Sequence, residues 1–205
     1  MSKQKGLFIS FEGPEASGKS SQILLLKKYL TKKKISFITT REPGGTKLAE
    51  SLRNLILKIK SDINIEEEIL MLMAARSHHI NNIIKPALDK GSLVISDRFA
   101  DSTFVYQGYV NNFGIQKTKS LHKNILNNFL PHKTFLFNLS TSKIIARLKK
   151  RKSKNKYDKL ERNFHDQVNR GYELISKNKR FIKIDASKSI ISINKKIINT
   201  INLLI

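Results

Sequence analysis

Residues 13–20 read Gly-Pro-Glu-Ala-Ser-Gly-Lys-Ser and follow a short apolar run at residues 7–11. A strand that leads through G-x-x-x-x-G-K-S into a helix is typical of a phosphate-binding loop, because the glycines allow successive backbone N–H groups to turn toward one anion. The amphipathic pattern of residues 22–30 predicts the helix, whose N-terminal dipole adds positive potential at the same point. The chain is therefore predicted to bind a nucleotide.

Three side chains of this loop have distinct expected roles. Lys19 is expected to reach the β- and γ-phosphates as a point charge, and the Ser20 hydroxyl is expected to supply an oxygen ligand to Mg²⁺. Glu15 differs, because a carboxylate that faces polyphosphate is electrostatically unfavourable. We expect Glu15 to point away from the phosphates toward hydrogen-bond donors. A sugar hydroxyl of a second substrate and solvent at the loop rim are the two alternatives.

The size and composition of the chain narrow the class of protein. With 205 residues and no cysteine, it is predicted to form one domain, residues 1–205, without disulfides or thiolate metal sites. No secretory signal and no apolar run of about eighteen residues is present, so we expect a cytoplasmic protein with no membrane partner. The net charge of +23 raises nucleic-acid binding as an alternative. Because the lysines are scattered and no basic stripe is interleaved with aromatics, we expect no specific nucleic-acid partner.

The apolar runs and helical patterns alternate along the chain. Strands are predicted at residues 7–11, 37–40, 93–96, 135–139 and 181–184. Helices are predicted at residues 20–31, 48–58, 65–88, 121–130, 142–150, 164–177 and 190–204. This alternation predicts an α/β fold in which a parallel five-stranded sheet is flanked by helices on both faces. Residues 111–119 and 151–159 are expected to be mobile surface segments.

Polar residues follow two of the predicted strands. Residues 41–46 read R-E-P-G-G-T after the second strand, and residues 97–98 read D-R after the third. Ligands of open parallel sheets bind outside the carboxyl ends of the strands. Both arginines are therefore expected at the same edge of the sheet as Lys19.

The order and spacing of these motifs resemble those of the thymidylate kinase family. Besides the loop and the two segments above, the resemblance includes A-A-R at residues 74–76 and S-T-F-V-Y-Q-G at residues 102–108. F-H at residues 164–165, G-Y at residues 171–172 and I-D-A at residues 184–186 extend it over nearly the whole chain. The resemblance implies a P-loop NTPase fold with a small lid at about residues 149–161. It also implies transfer of the ATP γ-phosphate to dTMP, with Mg²⁺, in a homodimeric enzyme of dTTP biosynthesis.

The resemblance assigns roles to the matching residues. It implies catalytic roles for Lys19, Arg98 and Arg151, and metal binding by Ser20 and, through water, Asp97. The implied ATP site comprises Gly13, Pro14, Glu15, Ala16, Ser17, Gly18, Lys19, Ser20, Ser21 and Arg147, the last packed on adenine. The implied dTMP site comprises Glu15, Arg41, Arg53, Leu72, Arg76, Arg98, Ser102, Thr103, Tyr106 and Gln107.

Within the dTMP site, the implied contacts are specific. Arg76 would bind a thymine carbonyl and Thr103 would read the ring N–H, while Tyr106 would crowd the position of a ribose 2′-hydroxyl. Glu15 would contact the sugar 3′-hydroxyl, and Arg98 would hold the acceptor phosphate.

The chain departs from the family pattern at three positions. Leu72 stands where the family usually places a phenylalanine, so apolar burial replaces a stacking contact worth roughly 1 kcal/mol. Ala16 stands where some relatives carry an arginine, and the missing cation is expected from the lid, with Arg151 foremost. In the lid, Lys159 follows Asp158 where many relatives have Asp-Arg, which exchanges a planar fork for a point charge.

The long predicted helix at residues 65–88 admits two interpretations. It could supply the face of a homodimer, or it could be a buried core helix. Leu70, Leu72 and Met73 are expected in the core, and His79 is expected to pack or to hydrogen bond rather than to catalyse. Two functional alternatives also stay open on the residues alone: another small P-loop nucleotide or deoxynucleoside kinase, and a nucleic-acid-stimulated NTPase.

Overall fold

A computed structural model describes residues 6–58, 63–150 and 161–205, and the strands in this part of the chain form one parallel sheet. The strands are β1 (Phe8–Glu12), β2 (Phe37–Arg41), β3 (Leu93–Asp97), β4 (Lys133–Asn138) and β5 (Phe181–Asp185). Their spatial order is β2-β3-β1-β4-β5, and every neighbouring pair is parallel. The predicted α/β fold with a parallel five-stranded sheet is confirmed, and the carboxyl ends of its strands lie at one edge.

Helices connect the strands and cover both faces of the sheet. They are α1 (Lys19–Lys32), α2 (Lys47–Lys58), α3 (Ile65–His79), α4 (Lys85–Asp89), α5 (Ala100–Thr103), α6 (Ile115–Leu126), α7 (Thr141–Lys149), α8 (Arg162–Ile175) and α9 (Ile190–Asn202). Successive residues of a strand point to opposite faces. Phe8 therefore lies in one apolar cluster with Met73 of α3 and Tyr172 of α8, while Ile9 lies in a second cluster with Leu26 of α1. None of the described helices is both long and apolar enough to cross a lipid bilayer.

The predicted helix at residues 65–88 is divided into three parts. A π-helical segment, Ile80–Ile84, separates α3 from α4, and Pro86 lies in the first turn of α4. Proline has no N–H to donate, so a continuous helix cannot keep its hydrogen-bond pattern here. The expectation that Leu70 is in the core is wrong, because its side chain is 57% exposed. Leu72 and Met73 lie on the buried stripe of α3 as expected, and Leu70 lies off that stripe.

The segment after β3 is more helical than predicted. Residues 100–110 form α5 and a π-helical segment, Phe104–Val110, where the sequence indicated only a cluster of polar site residues. α6 begins at Ile115 and ends at Leu126, so the expected mobile segment at residues 111–119 contains its first turn, and the helix predicted at residues 121–130 ends earlier than expected. The other expected mobile segment, residues 151–159, lies outside the described residues.

The C-terminus of α1 places a lysine in a conformation that favours glycine. Lys34 has φ 56°. The N–H groups of Lys34 and Ile35 donate to the carbonyl oxygens of Thr31 and Leu30, a pattern in which glycine usually occupies the left-handed position.

Replacing Lys34 by glycine is expected to raise the free energy of unfolding by about 0.5–1 kcal/mol. The left-handed conformation costs an L-residue about 1–2 kcal/mol, and glycine avoids this cost. Glycine loses more chain entropy on folding, which offsets about 0.5–1 kcal/mol of the gain. Urea denaturation measures the difference. Lys33→Gly, one residue earlier at φ −83°, is the matched control and should lower the stability. A Lys34→Gly protein no more stable than the parent would contradict the prediction.

His122 of α6 is a fully buried histidine. Its ring lies edge-on to those of Phe99 and Phe104, with centroids 6.4 and 5.6 Å away, and its Nε2 donates to the carbonyl oxygen of Phe129 at 2.9 Å. Burial, together with the positive charge of Arg76, lowers the pKa of His122 from 6.5 to about 4. The folded protein therefore holds this ring neutral over the mildly acidic range.

His122 is expected to destabilise the fold as the pH falls. The unfolded chain binds a proton near pH 6.5 and the folded chain only near pH 4, so stability is lost between these values, about 2 kcal/mol of it between pH 7 and pH 5. His122→Gln keeps a donor for the carbonyl oxygen of Phe129 and cannot titrate. Between pH 7 and pH 5, its free energy of unfolding should therefore fall by about 2 kcal/mol less than that of the parent protein. Urea denaturation of both proteins at the two pH values measures this. Equal losses in the two proteins would exclude His122 as the source.

Candidate active site

The phosphate-binding loop connects β1 to α1 at the carboxyl edge of the sheet. Gly13 and Gly18 have φ +134° and +94°, which L-residues rarely adopt. A Cβ at Gly13 would lie 2.5 Å from the carbonyl oxygen of Phe137 in β4, so the loop passes directly against a strand. The first N–H groups of α1, which begins at Lys19, have no carbonyl partners within the helix and are suited to bind an anion.

Lys19 lies inside this loop and is bonded to its backbone. Its Nζ donates to the carbonyl oxygens of Gly13 and Pro14 at 2.9 and 2.8 Å and to the Ser17 hydroxyl at 3.3 Å. Burial and the nearby charge of Arg98 lower the pKa of Lys19 to about 8. The ammonium group therefore stays mainly charged at neutral pH.

Arg98 follows β3 and reaches across to the phosphate-binding loop. Its backbone has φ 69°, an uncommon conformation for a residue with a side chain, of the kind that clusters at functional sites. Its Nη1 donates to Gly13 O at 3.1 Å, to Ser102 Oγ at 3.1 Å and to the Tyr172 hydroxyl at 3.2 Å, while Nη2 donates to Glu15 Oε1 at 2.9 Å. Contacts with three separate parts of the chain thus hold the guanidinium group beside the loop.

Glu15 is buried and accepts hydrogen bonds from two sides. The Tyr106 hydroxyl donates to its two oxygens at 2.7 and 2.9 Å, and Arg98 pairs with it. Burial alone would raise the pKa of Glu15, but the charges of Arg98 and Lys19 outweigh it and lower the pKa below its usual range. The structure places Glu15 against donors, as the electrostatic argument expects, and not in solvent at the loop rim.

The two predicted metal ligands lie together, Ser20 in the first turn of α1 and Asp97 at the end of β3. The Ser20 hydroxyl donates to Asp97 Oδ2 at 2.9 Å. Both are hard oxygen groups of the type that Mg²⁺ prefers. Within the described residues, no cluster of three or more histidine, cysteine, aspartate or glutamate side chains could hold a metal ion.

A second group of polar side chains lies between α3 and the segment after β3. Arg76 is buried and donates from Nε to Glu42 Oε2 at 2.6 Å and from Nη2 to Thr103 Oγ1 at 2.8 Å. Burial would raise the pKa of Glu42, but Arg76 and His79 outweigh this effect and lower the pKa. Gln107 donates to Glu68 at 2.7 Å. Leu72, an apolar side chain of α3, lines the same cleft as these donors and acceptors.

Two further arginines come from the end of β2 and from α2. Arg41 is half-exposed and pairs with Glu50 at 2.9 Å, while Arg53 donates to Pro43 O at 2.8 Å. Both side chains line the same cleft as Arg98. Surface pairing of this kind holds a side chain weakly, because solvent screens the charges.

These groups border one cleft of about 560 Å³ at the carboxyl edge of the sheet. Every residue predicted for the dTMP site lines it, as do Asp97 and the loop from residue 15 to residue 21. Gly13 and Pro14 are not among the residues that line this cleft. Arg147 lies elsewhere, donating to the carbonyl oxygens of Ala16 and Ala186 at 3.1 and 3.0 Å. Arg151, Asp158 and Lys159, with nearly all of the predicted lid, lie outside the described residues.

Glu12 also contributes to this site, although it was not predicted from the sequence. It is fully buried beneath the cleft and accepts from Phe99 N, the Ser102 hydroxyl and the Tyr172 hydroxyl at 2.7, 2.7 and 2.8 Å. Burial and the charge of Asp101 raise the pKa of Glu12 to about 7. The available signal was a carboxylate at the end of a strand whose other residues are apolar except for Ser10. Glu42, Glu68 and Tyr172 were likewise not assigned, although two of them lie within recognised motifs.

The fold and this cleft define a P-loop nucleotide kinase: a glycine-rich loop for one phosphate chain faces buried arginines suited to a second phosphorylated molecule. A family model for thymidylate kinase matches residues 11–197. The thymidylate kinase of Mycoplasma capricolum subsp. capricolum is 42% identical over 189 residues, covering 90% of this chain and 89% of the relative. That of Halothermothrix orenii is 38% identical, covering 94% and 95%, and that of Carboxydothermus hydrogenoformans is 41% identical, covering 90% and 91%. The chain belongs to the thymidylate kinase family.

Proposed function

We propose that this chain transfers the γ-phosphoryl group of ATP to dTMP, which forms dTDP and ADP for dTTP synthesis. The observation that carries the proposal is the contact between the two halves of the cleft. Arg98 is bonded both to Gly13 of the phosphate-binding loop and to Glu15, so a phosphate at Arg98 lies next to one held by the loop. Because the chain belongs to the thymidylate kinase family, the two alternative functions, another small nucleotide kinase and a nucleic-acid-stimulated NTPase, are not favoured.

The donor half of the proposed site consists of the loop and the start of α1. Backbone N–H groups would cradle the ATP phosphates, with Lys19 as the mobile cation. Ser20 and Asp97, whose oxygens are 2.9 Å apart, would hold Mg²⁺ together with phosphate oxygens and water. When bound, Mg²⁺ neutralises charge on the β- and γ-phosphates. Arg147 would pack on adenine while its guanidinium group holds the backbone of the loop at Ala16.

The acceptor half of the proposed site consists of residues from α3, α5 and the loops. Arg98, with Arg41 and Arg53 at its side, would bind the phosphate of dTMP. Glu15 would accept a hydrogen bond from the 3′-hydroxyl, and Tyr106, whose hydroxyl is fixed on Glu15, would fill the space of a 2′-hydroxyl. On the base side, Arg76, Thr103 and Gln107 would supply the polar contacts, Ser102 would support Arg98, and Leu72 would cover the ring.

The residues of the site are suited to alignment and charge neutralisation. The acceptor oxygen of a phosphate monoester is already anionic at neutral pH, so no strong general base is required. Lys19 and Arg98 approach the reacting phosphates from opposite halves of the cleft. Ala16 contributes no charge, so a further cation is proposed from the lid, where Arg151 is the first candidate.

Arg151→Ala is expected to lower kcat by at least about tenfold while changing the KM for dTMP little. A cation that stabilises the transferring phosphoryl group acts mainly in the transition state, so its loss affects kcat and not ground-state binding. Steady-state kinetics with both substrates varied measures the two constants separately. An unchanged kcat would remove Arg151 from the mechanism.

The proposed activity is tested by coupling ADP release to an optical signal. The assay compares dTMP, dUMP, dCMP, dGMP, AMP and thymidine as acceptors, and adds DNA or RNA in separate reactions. We expect the highest kcat/KM with dTMP and no stimulation by nucleic acid. Preference for another monophosphate or for thymidine would assign a different kinase, and ATP hydrolysis that responds to DNA or RNA but not to dTMP would contradict the proposal.

We further propose that residues 1–205 act as one domain in a cytoplasmic homodimer without a specific nucleic-acid or membrane partner. Leu48 and Leu55 of α2 and Leu70 of α3 support the dimer, since they are 47%, 40% and 57% exposed on two helices that pack together. Sedimentation velocity across protein concentrations tests the assembly state, and a monomer at all concentrations would contradict it.

A further inference from the structure

Among the described residues, Arg76 uses only part of its hydrogen-bonding capacity. A guanidinium group carries five N–H donors in a fixed fork. The Nε donor is bonded to Glu42 at 2.6 Å and one Nη2 donor to Thr103 at 2.8 Å, while the contact of Nη1 with Met73 Sδ is 4.0 Å long and therefore weak. Two fixed contacts determine the plane of the fork, and Nη1 is left to bind a ligand.

Glu42 is itself held by a chain of buried hydrogen bonds. Its Oε1 accepts from His79 Nδ1 at 3.0 Å, and His79 Nε2 lies 2.6 Å from the Thr40 hydroxyl. Because a carboxylate only accepts, His79 Nδ1 carries the proton of its bond to Glu42, and Nε2 shares a second hydrogen bond with the Thr40 hydroxyl. His79 is fully buried and Glu42 is 4% exposed, so solvent does not compete for these contacts.

The backbone of the R-E-P-G-G-T segment is closely fitted to this chain. A Cβ at Gly45 would lie 2.6 Å from both His79 Nε2 and Thr40 Oγ1. Gly45 N also donates to Glu50, the partner of Arg41. The segment thus connects the position of Arg76 to the end of β2, although Glu42 and Arg76 are 34 residues apart.

We propose that Glu42 and His79 are positioning residues for recognition of the acceptor base. They orient Arg76 so that its remaining donors face the carbonyl group of a pyrimidine. This inference rests on the proposed function, because it takes the base to lie beside Arg76. Glu42 supplies the negative charge that keeps Nε in place, and His79, with Thr40 behind it, determines the direction of the Glu42 carboxylate.

The arrangement has a consequence for specificity. An oriented Arg76 donates to the C4 carbonyl of thymine, whereas cytosine presents an amino group there, which cannot accept. A site built to hydrogen bond one group discriminates strongly against an analogue that leaves its polar groups unpaired. When Arg76 is free to move, dTMP loses this hydrogen bond, whereas dCMP is freed from an unfavourable contact between two donors. The preference for dTMP over dCMP therefore falls.

The test compares Glu42→Gln, His79→Gln and Thr40→Val by steady-state kinetics with dTMP and dCMP. Glu42→Gln should raise the KM for dTMP by about tenfold or more and reduce the dTMP-to-dCMP ratio of kcat/KM by a similar factor. The KM for ATP should stay within about twofold, because the donor loop is not part of this chain of contacts. The effects should decrease from Glu42 to His79 to Thr40. If Glu42→Gln does not fold, the other two variants provide the same measurement.

Two additional variants distinguish an error in the proposed base site from an error in the positioning role of Glu42 and His79. Ser92→Ala removes the 2.8 Å hydrogen bond between Ser92 and Ser36, which lie just before the amino ends of β3 and β2. This variant should change neither the KM for dTMP nor the dTMP-to-dCMP ratio of kcat/KM. Arg76→Met tests the site assignment itself. If Arg76→Met leaves the KM for dTMP unchanged, the proposed base site is wrong. If Arg76→Met raises it but the Glu42, His79 and Thr40 variants do not, only the positioning inference is wrong.

Discussion

Arg98→Ala is expected to lower kcat/KM for dTMP by about 10³-fold or more, which corresponds to about 4 kcal/mol of transition-state stabilisation. The Arg98 side chain is only 20% exposed and lies beside the phosphate-binding loop, so its attraction to a phosphate is less screened than at the open surface. It is also already held by Glu15, Ser102, Tyr172 and the loop backbone, and little freedom is lost when substrate binds. Steady-state kinetics with varied dTMP measures the loss.

Two other variants separate the effect of charge from that of geometry. Arg98→Lys keeps a positive charge but replaces the planar fork by a point donor, and should retain more activity than Arg98→Ala. Arg41→Ala removes a half-exposed arginine that pairs with Glu50 at the surface, and its effect should be below about tenfold. Equal losses for Arg98 and Arg41 would contradict the assignment of Arg98 as the principal phosphate ligand.

The fold of Arg98→Ala must be checked independently of its kinetics. Removal of this cation leaves Glu15 buried without its ion-pair partner, which is expected to cost about 3 kcal/mol of stability. Urea denaturation shows whether the protein is folded under assay conditions. A folded Arg98→Ala protein with parental kcat/KM would exclude the proposed role.

Gly13→Ala is expected to have the largest effect on stability, a loss of at least about 3 kcal/mol, together with loss of ATP binding. Its φ of +134° is unfavourable for alanine, and the new Cβ would lie 2.5 Å from the carbonyl oxygen of Phe137. That oxygen belongs to β4, which is paired on both sides within the sheet and cannot move away. Either β1 and β4 separate or the loop changes course. Urea denaturation and ATP titration measure the two consequences.

Gly18→Ala is the matched control for the steric part of this effect. Gly18 also has positive φ, +94°, but a Cβ there would meet no atom of the described residues within 4 Å. Its expected cost is therefore only the backbone term of about 1–2 kcal/mol. Similar losses of stability at the two glycines would show that backbone conformation, and not the contact with β4, dominates at Gly13.

The sequence predicted the sheet well because buried parallel strands are short, apolar and rich in β-branched residues. Its errors fall where another signal competed. Residues 100–110 were interpreted by their chemistry, so the helical turns that carry Ser102, Thr103 and Tyr106 were missed. The boundary at residue 80 was missed because a π-helical segment of five residues is too short to change the hydrophobic pattern recognisably.

The residues of the site also differ in how well they could be predicted from the sequence. The phosphate-binding loop could be predicted from sequence because its whole function is local: the glycines, Lys19 and Ser20 lie within eight consecutive residues and act through backbone geometry. Family resemblance indicated which distant residues belong with it. It did not indicate which side chain holds which, and Glu12 and Glu42 were therefore not recognised as the buried carboxylates behind the two groups of polar residues.

The chain by itself determined the strand-and-helix alternation, the phosphate-binding loop and the edge of the sheet at which polar residues collect. Only the tertiary structure decided the partners of the buried arginines, since Arg98 and Glu15 are 83 residues apart and Tyr106 and Glu15 are 91 apart. Local propensity acts over a few residues, whereas these contacts depend on the order β2-β3-β1-β4-β5. That order follows from packing both apolar faces of the sheet at once, and no single segment of the sequence encodes it.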